Sequence, residues 1–287
     1  MTLKEAIAQA DEKGIALGHF NISDIAALRA IVSAAGDLEV PVIIGTSEGE
    51  AEFVDIEVAA KMVEDMVSET GQAVFLNADH FRDLEKAKEA ARAGYDSIIF
   101  DAAKFPLEEN IEKTKEAVQV LKEINPHLLV EGELGYIGES SKLLDEIPEG
   151  AKIDEGALPT PEDARRYVEE TGVDLLAPAV GNLHGMFKKA QNPDLQIDLV
   201  KRINDAVEVP LVLHGGSGVT DDDFKKAIDA GMRIVHINTE IRVAWREGMK
   251  EALKDPNQIA PYKIFPEAEK KVKEVVERRL KLFSGLV

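Results

Sequence analysis

The chain of 287 residues contains no cysteine. That excludes disulfides, thiolate nucleophiles and thiolate-held zinc, so any transition metal must be held by imidazole and carboxylate. Positive charge is also scarce: 34 Lys and Arg stand against 54 Asp and Glu, a formal net charge of −20. Nucleic acid and anionic membranes are recognised by basic footprints, so neither is expected as a partner. A phosphorylated substrate would need a local positive site working against the global field. Apolar runs of membrane-spanning length are missing, and the N-terminal MTLKEAIAQADEKG reads as an amphipathic helix rather than a signal peptide. The expected compartment is the cytoplasm.

What is present is the profile of a globular protein, 45% hydrophobic and 31% charged. Eight short apolar, β-branched runs alternate with segments of helical period. They are IALGHFNI (15–22), PVIIGTS (41–47), AVFLNAD (73–79), SIIFDA (97–102), LLVEGEL (128–134), LLAPAVG (175–181), PLVLHGG (210–216) and RIVHINT (233–239). Several of the helices between them are expected to end at a capping glycine, namely Gly36, Gly94, Gly172 and Gly231. Continuous apolar runs imply strands buried on both faces, hence a parallel sheet. Eight β-α units in series predict an α/β fold, a (β/α)8 TIM barrel. With no linker or composition shift, residues 1–287 read as one domain, with a long functional loop at about 137–164. The C-terminal EAEKKVKEVVERRLKLF reads as a charged amphipathic helix on the outer face or in an oligomer contact.

Barrel enzymes place their chemistry at the C-terminal ends of the strands. The third run ends there in an adjacent acid and imidazole, Asp79 and His80. Taken alone, such a pair reads as a helix cap beside a surface histidine. Elsewhere the strand ends supply Asn21, Ser47, Asp101, Glu131, Glu133, His184, His214 and His236. Of the six histidines, only His127 sits in an evident helix-to-strand loop. His80, His184 and His214 follow the third, sixth and seventh strands and should share one mouth. Three imidazoles with open positions remaining are a common ligand set for a catalytic zinc or a related divalent ion. His19 reads as structural. The HGGSG turn at 214–218 offers backbone amides to an anion and faces Asn238 and Thr239 on the neighbouring strand, a candidate phosphate cradle. Lys188 could add positive charge or be a solvated surface residue.

With ADH at 78–80, EGELG at 131–135, NLHG at 182–185, LHGGSG at 213–218 and the closing Thr239-Glu240, the chain resembles the class II, metal-dependent fructose-bisphosphate aldolases and their tagatose-bisphosphate relatives. The resemblance covers about residues 3 to 285. It implies reversible cleavage of a ketose 1,6-bisphosphate, fructose 1,6-bisphosphate first, to dihydroxyacetone phosphate and glyceraldehyde 3-phosphate. By the same resemblance His80, His184 and His214 match the Zn2+ ligands, with Glu133 a carboxylate close to the metal and a monovalent cation as a further cofactor candidate. Asp79 matches the acid/base for the C4 hydroxyl. Gly185, Gly215, Gly216, Ser217 and the segment His236, Ile237, Asn238 and Thr239 match the dihydroxyacetone phosphate site, while Asn21, Ser47 and Lys188 match supporting contacts. A second acid/base is implied on the long loop, where Glu139, Glu146, Glu149 and Glu155 are available and Glu139 is the one carried forward. A homodimer or homotetramer is implied as well.

Three positions depart from the family pattern. Asn77 stands where a His is usual, Phe81 where a Gly is usual, and His236 where an Asn is usual. Phe81 is expected to fill space near the mouth. His236 could donate a hydrogen bond, stabilise charge or act as a further ligand. These departures keep three alternatives in view: an aldolase for another sugar phosphate such as tagatose 1,6-bisphosphate, a metal-dependent hydrolase, and a non-catalytic sugar-phosphate-binding barrel.

Overall fold

In the computed structural model the described residues are 1–138, 143–144, 158–187 and 192–287. Eight parallel strands close a barrel: Leu17–Asn21, Val42–Ser47, Val74–Phe81, Ser97–Phe100, Leu129–Leu134, Leu175–Pro178, Leu211–Leu213 and Met232–Ile237. They neighbour one another in chain order, and the first pairs with the last. We number them as barrel strands one to eight. All eight predicted runs coincide with barrel strands. A short parallel pairing of Leu143–Leu144 with Met186–Phe187 lies outside the barrel.

The period-two alternation of each strand explains both why it is apolar and where the site lies. Phe20, Ile44, Leu76, Ile98, Val130, Leu176 and Val235 face outward into a continuous layer shared with the helices. Leu17, Ile43, Phe75, Ile99, Leu129, Val212 and Ile234 face inward and form a second core. Each such aliphatic or aromatic side chain contributes about 1.5–3 kcal/mol by leaving water. The helix Leu3–Lys13 adds Leu3, Ala6, Ile7 and Ala10 to this inner core, so it closes the N-terminal end of the barrel. Two residues further along the same strands, the inward positions turn polar: His19 and Asn21, Asn77 and Asp79, Glu131 and Glu133, His236. The open end is therefore the C-terminal one.

Helix ends depart in detail from the expected glycine caps. Gly94 and Gly172 do cap their helices in the left-handed conformation. Gly36 instead lies within Ile25–Leu38, and Glu39 takes the left-handed position at φ 54°. Gly231 follows Ala230, which caps Asp221–Asp229 in right-handed geometry. The helix after the long loop begins at Pro161 behind a Thr160–Asp163 capping box, three residues earlier than the loop boundary at 164. The C-terminal helix, Pro261–Phe283, packs on the outer wall, burying Val272, Val276, Leu280 and Phe283 at helical spacing. Among the described residues no helix is long and apolar enough to cross a membrane.

Candidate active site

Asp79 does not cap a helix; the next helix, Leu84–Ala93, is capped by Asp83. The third strand runs on through His80, which adopts a left-handed backbone at φ 53°. For a residue with a β-carbon this conformation costs about 1–2 kcal/mol. The register with the fourth strand shifts between Ala78 and Phe81, and this kink lets Asp79 and His80 both serve the mouth. It also corrects the expectation for Phe81, which is fully buried in the outer core layer, away from the mouth.

His80, Glu133, His184 and His214 present ligand atoms within 4.8 Å of one another. His80 Nε2 and His214 Nδ1 face each other at 2.8 Å. Behind each ring stands a carboxylate: Asp101 Oδ2 is 3.3 Å from His80 Nδ1, and Glu131 Oε1 is 2.7 Å from His214 Nε2. Carboxylates on the far nitrogen orient a ligating imidazole and set its tautomer. Glu133 Oε2 lies 3.4 Å from His80 Nδ1. His184 Nε2 and Glu133 Oε2 are buried without a hydrogen-bond partner among the described residues. Orphaned buried donors and acceptors are rare and call for a physical reason. A divalent cation among three imidazoles and a carboxylate would supply that reason, and the donor set fits such an ion.

The charges of the site are strongly coupled. Burial favours a neutral His80, but Asp79, Asp101 and Glu133 outweigh it and push its pKa up to about 10. Burial lowers His184 to about 3, with His80 adding to the effect, and holds His214 well below its usual range. Burial pushes Glu133 up to about 8 and Glu131 well above the ordinary carboxylate range. Asp79 behaves differently: burial would raise it, yet His80 and His236 hold it well below that range. That direction suits a base, which must be ionised to take a proton. Asp101 is likewise held low, against burial, by His80 and by Arg82, whose Nε donates to Oδ2 at 2.9 Å.

The mouth cavity is lined by Asn21, Asp79, His184, Gly185, His214, Gly215, Gly216, Ser217, His236, Asn238 and Thr239. Ile237 is absent from it; its side chain points into the outer core layer, so only neighbouring residues of that segment present side chains to the mouth. Gly215 takes φ 63°, and a β-carbon on Gly216 would lie 2.8 Å from the His236 carbonyl oxygen, so the turn is glycine-dependent. Ser217 Oγ accepts from the amides of Asn238 and Glu240, at 3.3 and 3.2 Å, fixing the turn against the start of helix Thr239–Ala252. A glycine turn beside a helix N-terminus suits an anion.

Asn21 and Ser47 are engaged by the protein itself. Asn21 Nδ2 donates to Asp79 Oδ2 at 2.8 Å and to Glu50 Oε2 at 2.9 Å, while Ser47 Oγ donates to Glu50 Oε2 at 2.8 Å. His236 lies between His19, on which it stacks at a centroid distance of 3.5 Å, and His214, tilted 37° from it at 3.9 Å, and its Nδ1 is 3.2 Å from Asp79 Oδ1 without the alignment of a hydrogen bond. His19 Nε2 meets Asn77 Oδ1 at 3.0 Å, so the histidine missing at position 77 has a counterpart two strands away, on the first strand. His19, Asp79 and His236 also lie close enough together to hold a cation, but nearly parallel rings send their lone pairs side by side, a poor convergence for one ion.

Glu139, Lys188 and the alternatives Glu146, Glu149 and Glu155 lie outside the described residues. Sequence reasoning did not single out Glu50, Arg242, Arg82, Asn182 or Asn192. Asn182 Nδ2 donates to the His214 carbonyl, and Asn192 Nδ2 to that of Ser217, both bracing the glycine turn. The NLHG motif contained a signal for Asn182; the others carry no local one.

Against known proteins, the sequence profile of class-II fructose-bisphosphate aldolase matches residues 1–285. A fructose-bisphosphate aldolase of Staphylococcus aureus is 33% identical over 288 residues, covering 99% of this chain and 97% of the relative. One from Geobacillus stearothermophilus is 33% identical with the same coverage. Among solved structures, the YdjI aldolase from Escherichia coli K12 superposes with a TM-score of 0.80 at 32% identity, covering 99% of this chain and 97% of that one. A putative fructose-1,6-biphosphate aldolase from Coccidioides immitis gives 0.85 at 25% identity, with coverages of 99% and 98%.

Proposed function

Because the chain belongs to the class II fructose-bisphosphate aldolase family, we propose that it is a zinc-dependent aldolase cleaving fructose 1,6-bisphosphate to dihydroxyacetone phosphate and glyceraldehyde 3-phosphate. The observation that carries this reading is the convergence of His80, Glu133, His184 and His214 beside the Asp79 carboxylate, whose Oδ1 is 3.9 Å from His80 Nε2. His80, His184 and His214 would hold the ion, with Glu133 in reach. When bound, it would act as a Lewis acid that spreads the negative charge developing on the three-carbon fragment.

The protein's own groups account for the rest. Asp79 takes the proton of the C4 hydroxyl, the C4 oxygen becomes the aldehyde carbonyl, and the C3–C4 bonding pair stays on the three-carbon fragment. A second acid then protonates C3, a role we assign to Glu139. Gly215, Gly216, Ser217, Asn238 and Thr239 hold the phosphate of the three-carbon fragment, with Gly185 and Lys188 supporting it. The fragment is thereby fixed in place before charge develops. The reaction belongs to cytoplasmic carbohydrate metabolism, in a homodimer or homotetramer.

A second reading, an aldolase for a different ketose phosphate, is favoured by His236, stacked on His19 and tilted against His214, where the family pattern has an Asn. A coupled triose phosphate assay separates the two. Cleavage of fructose 1,6-bisphosphate that is lost with chelator and regained with zinc supports the first. Turnover confined to another ketose phosphate supports the second.

A further inference from the structure

Glu50 is buried at 7% exposure, although no role at the mouth was expected of it. It sits three residues past the second strand, at the start of the helix Glu48–Val54. Its carboxylate collects donors from several neighbouring parts of the mouth. Oε2 accepts from Asn21 Nδ2 of the first strand, and from Ser47 N and Oγ at the end of the second. Oε1 accepts from an Arg242 guanidinium nitrogen at 2.6 Å, on the helix that follows the eighth strand. The pivot is Asn21, whose amide nitrogen donates to Glu50 and also to Asp79 on the third strand.

We propose that Glu50 is a positioning residue for Asp79, acting through Asn21. An amide has two faces, one donating and one accepting. With a carboxylate on either side, only the orientation with NH2 between them avoids setting oxygen against oxygen. Asn21 Oδ1 is left buried without a hydrogen-bond partner among the described residues, which shows what this orientation costs. Asp79 Oδ2 is thereby committed to Asn21, while Oδ1, without an aligned hydrogen bond, is the oxygen turned toward His236 Nδ1 at 3.2 Å and His80 Nε2 at 3.9 Å. Glu50 thus helps hold Asn21 on Oδ2 and leaves Oδ1 as the oxygen of the base without an aligned hydrogen bond. The carboxylate does so from outside the reacting atoms, braced by Arg242 and the Ser47 capping box.

This inference rests on the reading of Asp79 as the base, and the experiment separates the two. The variants Glu50→Gln, Asn21→Ala and their combination are made in the full chain, with Glu52→Gln on the same helix as a surface control. Crystal structures of wild type and Glu50→Gln are solved, and zinc content and thermal midpoint are recorded for each protein. In Glu50→Gln the Asp79 carboxylate still favours the Asn21 NH2, so the amide should keep its orientation but shift, lengthening its contact to Asp79 Oδ2 beyond hydrogen-bond distance; if its position and that distance are unchanged, the proposal is overturned. In turnover, Glu50→Gln and Asn21→Ala should each lower kcat roughly ten-fold or more with KM within about two-fold and zinc retained. The double variant should be no worse than Asn21→Ala alone. Multiplying losses, or a raised KM at unchanged kcat, would overturn the proposal by making Glu50 an independent or substrate-contacting group. If the wild type cleaves no ketose phosphate, the functional reading fails, and the crystal structures still decide the positioning. Should Glu50→Gln not fold, Glu50→Asp, which retains the charge but draws it back, is compared in the same way.

Discussion

His19 and His236 lie face to face, ring centroids 3.5 Å apart and planes 4° from parallel. They are register partners on the first and eighth strands, so the stack is built into the barrel. Burial, reinforced by His236, lowers His19 to about 3, and burial lowers His236 too, so two neutral rings are in contact rather than two cations. The stack uses space left by Gly45, where an added β-carbon would lie 2.2 Å from His19 Cε1. Gly45→Ala should therefore destabilise by about 1–3 kcal/mol through overpacking. Combining it with His19→Ala should cost less than the sum of the two single losses, measured by urea denaturation. Additive losses would mean that the two side chains do not compete for one space.

Metal binding should be visible in stability before any activity is measured. A ligand that binds only the folded state at 1,000 times its Kd adds about 4 kcal/mol. For a chain of this size that corresponds to roughly 2 °C per kcal/mol, so zinc added to the chelated protein should raise Tm by several degrees. His184→Ala, which removes the orphaned Nε2, should abolish the shift. If that variant and the equivalents at His80 and His214 all keep the full shift, the ion binds elsewhere.

Asp79→Asn keeps the shape of the side chain and removes its ability to accept a proton. General base catalysis is worth about 10²–10⁴-fold. We expect kcat to fall by that amount while zinc content stays as in the wild type. Activity within roughly three-fold of wild type would remove Asp79 from the role of base.

The barrel was legible because its strands are buried on both faces and so leave unbroken apolar runs. The residues of the mouth were legible because strand ends bracket them, as with Asp79, His80 and His214. What escaped was of another kind. Glu50 and Arg242 are 192 residues apart, and nothing local in either segment announces the other. Phe81 was misplaced because the left-handed backbone of His80 reverses the side that follows, and no residue type at position 80 signals that conformation. Gly36 was misread as a cap because the periodic pattern of its helix ends three residues later, at Glu39.

Asp96 offers a test away from the mouth. Its half-buried carboxylate borders a groove of about 1000 Å³ on the outer wall, between the helices Ile56–Thr70 and Leu84–Ala93. Although Oδ2 accepts from the Leu76 amide at 2.8 Å, burial outweighs that bond and raises the pKa to about 6. In the unfolded chain the ordinary value is about 3.9. The folded state therefore holds its proton to higher pH, and wild-type stability falls as pH rises from about 4 through 6. Above that window the charged form carries the full penalty. Asp96→Asn keeps an acceptor for Leu76 and never ionises. Its stability relative to wild type should rise across this window, with a gain of about 1–2 kcal/mol at pH 7 after discounting for solvent screening, shrinking toward pH 4.5. Urea denaturation at both pH values measures the difference. A wild type that is the more stable of the two at pH 7 would show that the Leu76 bond, not burial, controls this carboxylate.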